Sequence, residues 1–286
     1  MSETHRPTMG NLFSGSGTWE LAAKMVGIDV LFEAEIEPFP LAVEAKRFPE
    51  ALQLGDVSKI NGADIPPVDI LTNSSPCQDL SVANSKNRTG LEGERSGLFS
   101  EAIRITKEMR EREKADGRTG KSIRPRFWGW ENVLGAFNSG GKGSKGADFK
   151  AVLESIAEII EEKRVDIPIP SGGWHYSGLV DLENGQIAWR VLDAQYELPQ
   201  RRRRIFLVAD LAGHCAEQIL FERESIPWDF KEIASAWKDT SRSLGDRISA
   251  AGRIVMGGIR GTEEGVGDCC VGDKAVTGKD GDSDRE

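Results

Sequence analysis

Short apolar runs alternate with amphipathic stretches through the first half of the chain, which predicts strands and helices in turn. Met9–Phe13 reads as a first strand, followed by a Gly-rich turn and a helix from about Trp19 to Val26. Val30–Glu35 reads as a second strand and Leu41–Arg47 as a second helix. Asp69–Asn73 is a third clear strand, running out into Ser74-Ser75-Pro76. Leu98, Ala102, Ile105 and Met109 recur at helical spacing within Gly97–Arg112, and Val152, Ile156, Ile159 and Ile160 share one face of Phe149–Glu162. Arg126–Glu131 is strand-like, and Ala188–Leu192 and Arg204–Ala209 read as two late strands joined through Pro199. This alternation predicts an α/β fold on a largely parallel sheet. Basic Lys114–Arg124 and Gly-rich Asn138–Gly146 read as loops. After about Asp239 the apolar periodicity fades, and Gly261–Glu286 has no face to bury, which predicts disorder there.

Composition narrows the class. The 286 residues are 38% hydrophobic and 29% charged, enough for one large domain with a core. No apolar run is long enough for a membrane span, and MSETHRPTMG lacks the apolar region of a signal peptide. Four cysteines without CxxC or Cys/His ligand spacing predict neither a disulfide framework nor a metal site, and point to a reducing cytoplasm. The net charge of −9 argues against a nucleic-acid partner only until it is mapped. Thr262–Glu286 holds eight acidic and three basic residues, so this tail supplies −5 and the other 261 residues only −4. Basic residues gather at Arg201–Arg204 and between Arg104 and Arg126, so a local field could still receive DNA.

Candidate chemistry sits where predicted strands end. Phe13-Ser14-Gly15-Ser16-Gly17 lies between strand and helix, where glycines allow close approach of a ligand to the backbone. A tight turn with no ligand is an equal reading. The third glycine of a dinucleotide fingerprint would fall at Glu20, whose charge would face a pyrophosphate, so a neutral or cationic nucleoside fits better. Glu35 ends the second strand, where a carboxylate often accepts from ribose hydroxyls, and Asp56 follows Gly55. In Ser75-Pro76-Cys77-Gln78, proline stiffens a polar turn carrying a cysteine, a setting that suits a nucleophile better than a core thiol. Trp130-Glu131-Asn132-Val133 closes another strand at the same edge. In Pro199-Gln-Arg-Arg-Arg-Arg-Ile205, alternation sends Arg202 and Arg204 to one side and Arg201 and Arg203 to the other.

Together these residues resemble the C5-cytosine DNA methyltransferases, in the family's order and over roughly residues 9–210. Phe13-Ser-Gly-Ser-Gly17 is similar to the FxGxG cofactor loop, Pro76-Cys77-Gln78 to the PCQ nucleophile motif, and Arg95-Ser-Gly-Leu98-Phe99 to the helix start that follows it. Glu131-Asn132-Val133 matches ENV, and Gln200-Arg-Arg202-Arg-Arg204 matches QxRxR. The resemblance implies a doubly wound, mostly parallel seven-stranded sheet, S-adenosyl-L-methionine as cofactor, double-stranded DNA as partner and no metal. It places Phe13, Ser14, Gly15, Gly17, Thr18, Glu35, Ile36, Asp56, Pro76 and Leu98 at the cofactor. It makes Cys77 the nucleophile, Glu131 the proton donor to the base, and Arg202 and Arg204 the cations beside it. Gln78, Ser81, Asn132, Val133 and Gln200 fall on the substrate side.

Three local departures are visible: Thr18 replaces a usual glycine, Ile36 an aromatic, and Asn73-Ser74 the glycines before PCQ. The larger one is C-terminal. The family continues into a target-recognition region and a final GN-x-V helix, and neither is found in Leu211–Glu286. The expected organisation is a catalytic domain over 1–212, a partial start of the recognition region over 213–260, and an acidic tail over 261–286. A truncated non-catalytic relic, or one subunit of a split methyltransferase with a second polypeptide, are the alternatives. An RNA or small-molecule cytosine methyltransferase and an NAD-dependent oxidoreductase fit less well.

Overall fold

The computed structural model describes residues 6–76, 97–139, 145–196, 200–221 and 253–255. Its centre is a nine-stranded sheet in the order β3-β2-β1-β4-β5-β8-β7-β6-β9. The strands are β1 (Thr8–Leu12), β2 (Asp29–Ala34), β3 (Leu52–Gln53), β4 (Ile70–Asn73), β5 (Phe127–Val133), β6 (Ser177–Asp181), β7 (Gln186–Asp193), β8 (Arg203–Asp210) and β9 (Arg253–Val255). From β3 to β5 every pairing is parallel; from β5 to β9 every pairing is antiparallel. Only β8 and β6 therefore run against the rest, and the sheet is mostly parallel, as expected. The nine strands exceed the seven that the resemblance implies; of them the residue pattern had shown six, and β3, β6 and β9 were added by the structure, β3 and β9 being too short for periodicity to reveal.

Helices cover both faces, so the sheet is doubly wound. α1 (Thr18–Met25) and α2 (Pro38–Arg47) lie on one face, α3 (Leu98–Ala115) and α4 (Ala147–Glu161) on the other. The α3 residues at helical spacing meet the tryptophans of β5: Phe99 packs edge-on against Trp128 and Trp130 at 6.2 and 6.4 Å. From α4, Phe149 stacks on Trp130 at 6.1 Å and meets Trp174 and Trp189 edge-on. Alternation along β5 then sends Gly129 and Glu131 to the α1 face, where Trp19 lies against Gly129 and Phe206. A short helix, α5 (Ala216–Leu220), follows β8. Beside it Cys215, isolated in the sequence, is buried and disulfide-bonded.

Two expectations change. β6 was not anticipated, because Ser177-Gly-Leu-Val-Asp181 is short and holds a glycine. Gly178 is required there: a Cβ would sit 2.1 Å from the Trp189 ring that lies across it. The basic stretch before β5 was expected to touch phosphates. It lies at the N-terminal edge of the sheet, away from the strand ends that carry the motifs; Arg118 and Lys121 are exposed there, and part of the charge is paired within the fold. Buried Glu113 holds Arg124 at 2.8 Å and Arg118 at 2.9 Å, and Lys114 pairs with Glu162. Residues 222–252 and 256–286, with most of the expected recognition region and the whole acidic tail, lie outside the described residues.

Candidate active site

β1, β2, β4 and β5 all end at one edge, and the motif residues follow those ends. After β1 the chain reverses sharply: Phe13, Gly15 and Gly17 all have left-handed backbones, with φ of 61, 60 and 79°. Gly17 is buried, and a Cβ there would sit 2.5 Å from the Phe48 ring, whereas Gly15 has open space where its Cβ would be. Thr18, the departure from a glycine pair, is exposed as the first residue of α1 and needs no accommodation. Ser14 is buried and bonds through both its N–H and its hydroxyl to the carbonyl of Ala34.

Glu35 clamps this turn. Its Oε2 accepts from Gly15 N–H at 2.9 Å, and its Oε1 accepts from the N–H groups of Ile36 and Glu37 at 2.7 and 2.9 Å. A carboxylate has about four acceptor sites, so one lone pair of Oε2 remains for a hydroxyl. Ile36 projects beside it, 64% exposed, as an apolar wall. Asp56 caps the turn at Val57–Lys59, where bonds from the Ser58 hydroxyl and N–H, with Lys59 nearby, hold its carboxyl below the usual range. Leu98 opens α3 half-buried and Pro76 is exposed. An open glycine turn, a braced acceptor and an apolar wall fit the ribose and adenine of S-adenosylmethionine.

Glu20 departs from the sequence reading. It does not face the cofactor turn: it is buried on the inner side of α1, where Asn11 Nδ2 donates to Oε1 at 2.7 Å. It therefore offers no argument against a pyrophosphate at the turn.

The stretch leading to the cysteine is pinned from three sides. Trp19 Nε1 donates to Ser74 Oγ at 3.2 Å, Trp130 Nε1 to Ser75 Oγ at 3.4 Å, and Asn132 Nδ2 to the Ser75 carbonyl at 3.0 Å. Asn73 Nδ2 bonds across to the Gly129 carbonyl at 3.1 Å. Asn73 and Ser74, the departures before PCQ, thus serve as fastening points. Cys77, Gln78, Ser81 and Arg95 lie outside the described residues.

β5 and β8 bring the other charged groups together. Val133 is opposite Arg204 and Glu131 opposite Phe206, so Arg204 lies diagonally across from Glu131 on the same face. Arg204 Nε reaches Glu131 Oε1 at 3.0 Å, and Arg202 stands 3.9 Å from the same oxygen. Arg203 turns away to Asp193 at 3.1 Å and Arg201 to Gln195 at 3.1 Å, the alternation expected from sequence. Gln200 is exposed just before β8. Sequence reasoning missed Trp19, which links the cofactor helix to the cysteine turn; its place directly after the glycine loop was the available signal.

Comparison with known proteins agrees with this geometry. The family model for C-5 cytosine-specific DNA methylase matches residues 8–159, more than half of the chain. A protein named DNA N-6-adenine-methyltransferase from Escherichia phage P1 is 30% identical over 252 residues, covering 79% of this chain and 32% of that protein. Orphan methyltransferase M.SPRI of Bacillus phage SPR is 27% identical, over 77% of this chain and 40% of its own length. Type II methyltransferase M.NgoBV of Neisseria gonorrhoeae is 28% identical, over 65% and 36%. A crystal structure of the S. pombe Dnmt2 methyltransferase shares 16% identity over 78% of this chain and 58% of that one, with a TM-score of 0.45. The chain spans about a third to two fifths of these three curated relatives. With the turn after β1, the Ser-Pro turn and the Glu131–Arg204 pair at one sheet edge, the chain belongs to the C-5 cytosine-specific DNA methylase family.

Proposed function

We propose that the chain is the catalytic part of a DNA (cytosine-5-)-methyltransferase, acting on a cytosine flipped out of double-stranded DNA. The observation that carries this reading is the meeting of Glu131 with Arg204 and Arg202 beside the turn leading to Cys77. S-adenosylmethionine supplies an electrophilic methyl group on a sulfonium. In this reading the Cys77 thiolate adds to C6 of the ring, and the electron pair of the C5–C6 bond moves toward C5. Glu131 passes a proton to N3, while the Arg204 guanidinium, with Arg202 beside it, faces the charge on the O2 side. C5 takes the methyl group, the S–CH3 bond breaking so that a neutral thioether leaves, and C5 then loses its proton to solvent. Breaking the Cys77–C6 bond restores the double bond, and the N3 proton returns to Glu131. The target carbon is stacked inside a duplex, which is why flipping is required.

The name of the phage P1 relative raises adenine N6 as an acceptor. An exocyclic amine attacks the methyl group directly and needs no cysteine, so the Pro76-Cys77-Gln78 motif together with Glu131 favours cytosine C5. Incubating the full chain with duplex DNA and labelled cofactor, then separating the nucleosides, distinguishes the two. Label in 5-methylcytosine is expected; label in N6-methyladenine would overturn the assignment.

A second reading concerns whether this chain turns over alone. Beside the cofactor turn, Ile36 after β2 and Phe39 at the start of α2 are 64% and 77% exposed. Apolar side chains clustered in this way favour cover by further protein, as in a split enzyme whose second polypeptide also supplies target recognition. A chain that binds cofactor and transfers only when that polypeptide is added would support it. No described helix is long and apolar enough to cross a membrane.

A further inference from the structure

Three glutamates outside the machinery above converge behind the cofactor turn. Glu20 comes from α1, Glu33 from β2 and Glu44 from α2, and all three are 0% exposed. The fold makes their meeting unavoidable. Glu33 lies opposite Asn11 in the β1–β2 register, on the face covered by α1 and α2, and Asn11 bonds Glu20. One carboxylate oxygen from each glutamate lies within 4.8 Å of the other two.

Their hydrogen bonding is incomplete. Asn11 satisfies one oxygen of Glu20, and Gln53 one oxygen of Glu33. Glu20 Oε2, Glu33 Oε2 and both oxygens of Glu44 are buried with no partner among the described residues. Buried carboxylate oxygens without donors are costly, and three such groups together repel one another. The described ion pairs bring no lysine, arginine or histidine to any of the three.

We propose that Glu20, Glu33 and Glu44 form a binding site for a hard divalent cation of about the size of Ca2+. Oxygen-only ligands select hard cations over the thiophilic metals. The three ligand oxygens lie within 4.8 Å of one another, close enough for one ion to reach all of them. Ca2+ accepts an irregular all-protein oxygen site, whereas Mg2+ holds to a strict octahedron and gives up its waters reluctantly, so a fully buried site favours Ca2+. A dication neutralises two of the three charges and gives Glu44 a ligand where only the Ser14 hydroxyl, itself directed to the Ala34 carbonyl, comes near. It would tie α1, α2 and β2 together two residues before Glu35, bracing the cofactor turn from behind. This differs from the sequence expectation of no metal, which weighed cysteine and histidine spacing and missed carboxylates that only the fold assembles.

The test is thermal unfolding of the full chain, stripped with chelator and then titrated with Ca2+ or Mg2+ alone. A rise in midpoint of about 5–10 °C is expected at a hundredfold excess over Kd, at lower concentration for Ca2+ than for Mg2+. Glu44→Gln keeps the volume and removes a charge. In chelator it should melt at or above the wild type, and it should lose the Ca2+ response. Calorimetric titration of the wild type should show one tight site, weakened at least tenfold in Glu33→Gln. No cation-dependent shift in the wild type would overturn the proposal. So would an undiminished response in Glu44→Gln, because the ion would then be binding elsewhere, for instance on the acidic segment 262–286.

Discussion

Arg204 and Arg203 are neighbours in sequence and opposites in role. Arg204 lies on Glu131 at 3.0 Å, whereas Arg203 is held by Asp193 on the far side. Arg204→Ala should therefore lower the rate of methyl transfer strongly and Arg203→Ala only slightly, measured as single-turnover rates on saturating DNA. Glu131→Gln keeps the shape of the donor without its proton. It should slow transfer by about 10²–10⁴-fold while leaving DNA affinity nearly unchanged. The two-residue alternation of a strand was enough to sort these arginines from the sequence. It was not enough for Glu20: helical spacing places this residue on α1 but does not say that its carboxyl turns inward to Asn11.

Among the elements, the turn after β4 depends on donors from α1 and β5. Removing the Asn132 amide leaves the buried Ser75 carbonyl without its bond, so Asn132→Ala should cost about 1–3 kcal/mol of stability. Its transfer rate should fall further than Trp19→Phe, which loses only a bond to a hydroxyl. Urea unfolding and single-turnover kinetics on the same preparations check both. α3 and α4 were legible because each presents a long apolar stripe to the tryptophans of β5. β6 was not, because its pairing with β7 depends on Gly178 yielding space to Trp189, a relation between two strands that leaves no periodic trace in either. The basic stretch before β5 is largely exposed, as read, but sequence shows charges and not their partners; Glu113, buried in α3, takes two of them.

For the whole molecule, the three buried glutamates set a pH dependence. Burial first, and then the neighbouring carboxylates, push Glu33 up to about 8 and Glu44 to about 7, and Glu20 also rises. In the unfolded chain these groups titrate near 4.5. Between that value and about 8 the folded state keeps protons that the unfolded state releases. Stability in chelator should therefore fall as pH rises through this window, and a bound dication should flatten the slope. Urea midpoints from pH 5 to 9, with and without Ca2+, measure it.

The central claim is that Cys77 makes a covalent bond to cytosine C6, and a duplex carrying 5-fluorocytosine tests it directly. Fluorine at C5 cannot leave as the proton does, so the adduct should persist. Incubation with S-adenosylmethionine, digestion and mass spectrometry should then find the modified base on Cys77 and none in Cys77→Ser. An adduct that survives in Cys77→Ser would contradict the account. So would its absence from the wild type under conditions where the same preparation methylates unmodified DNA.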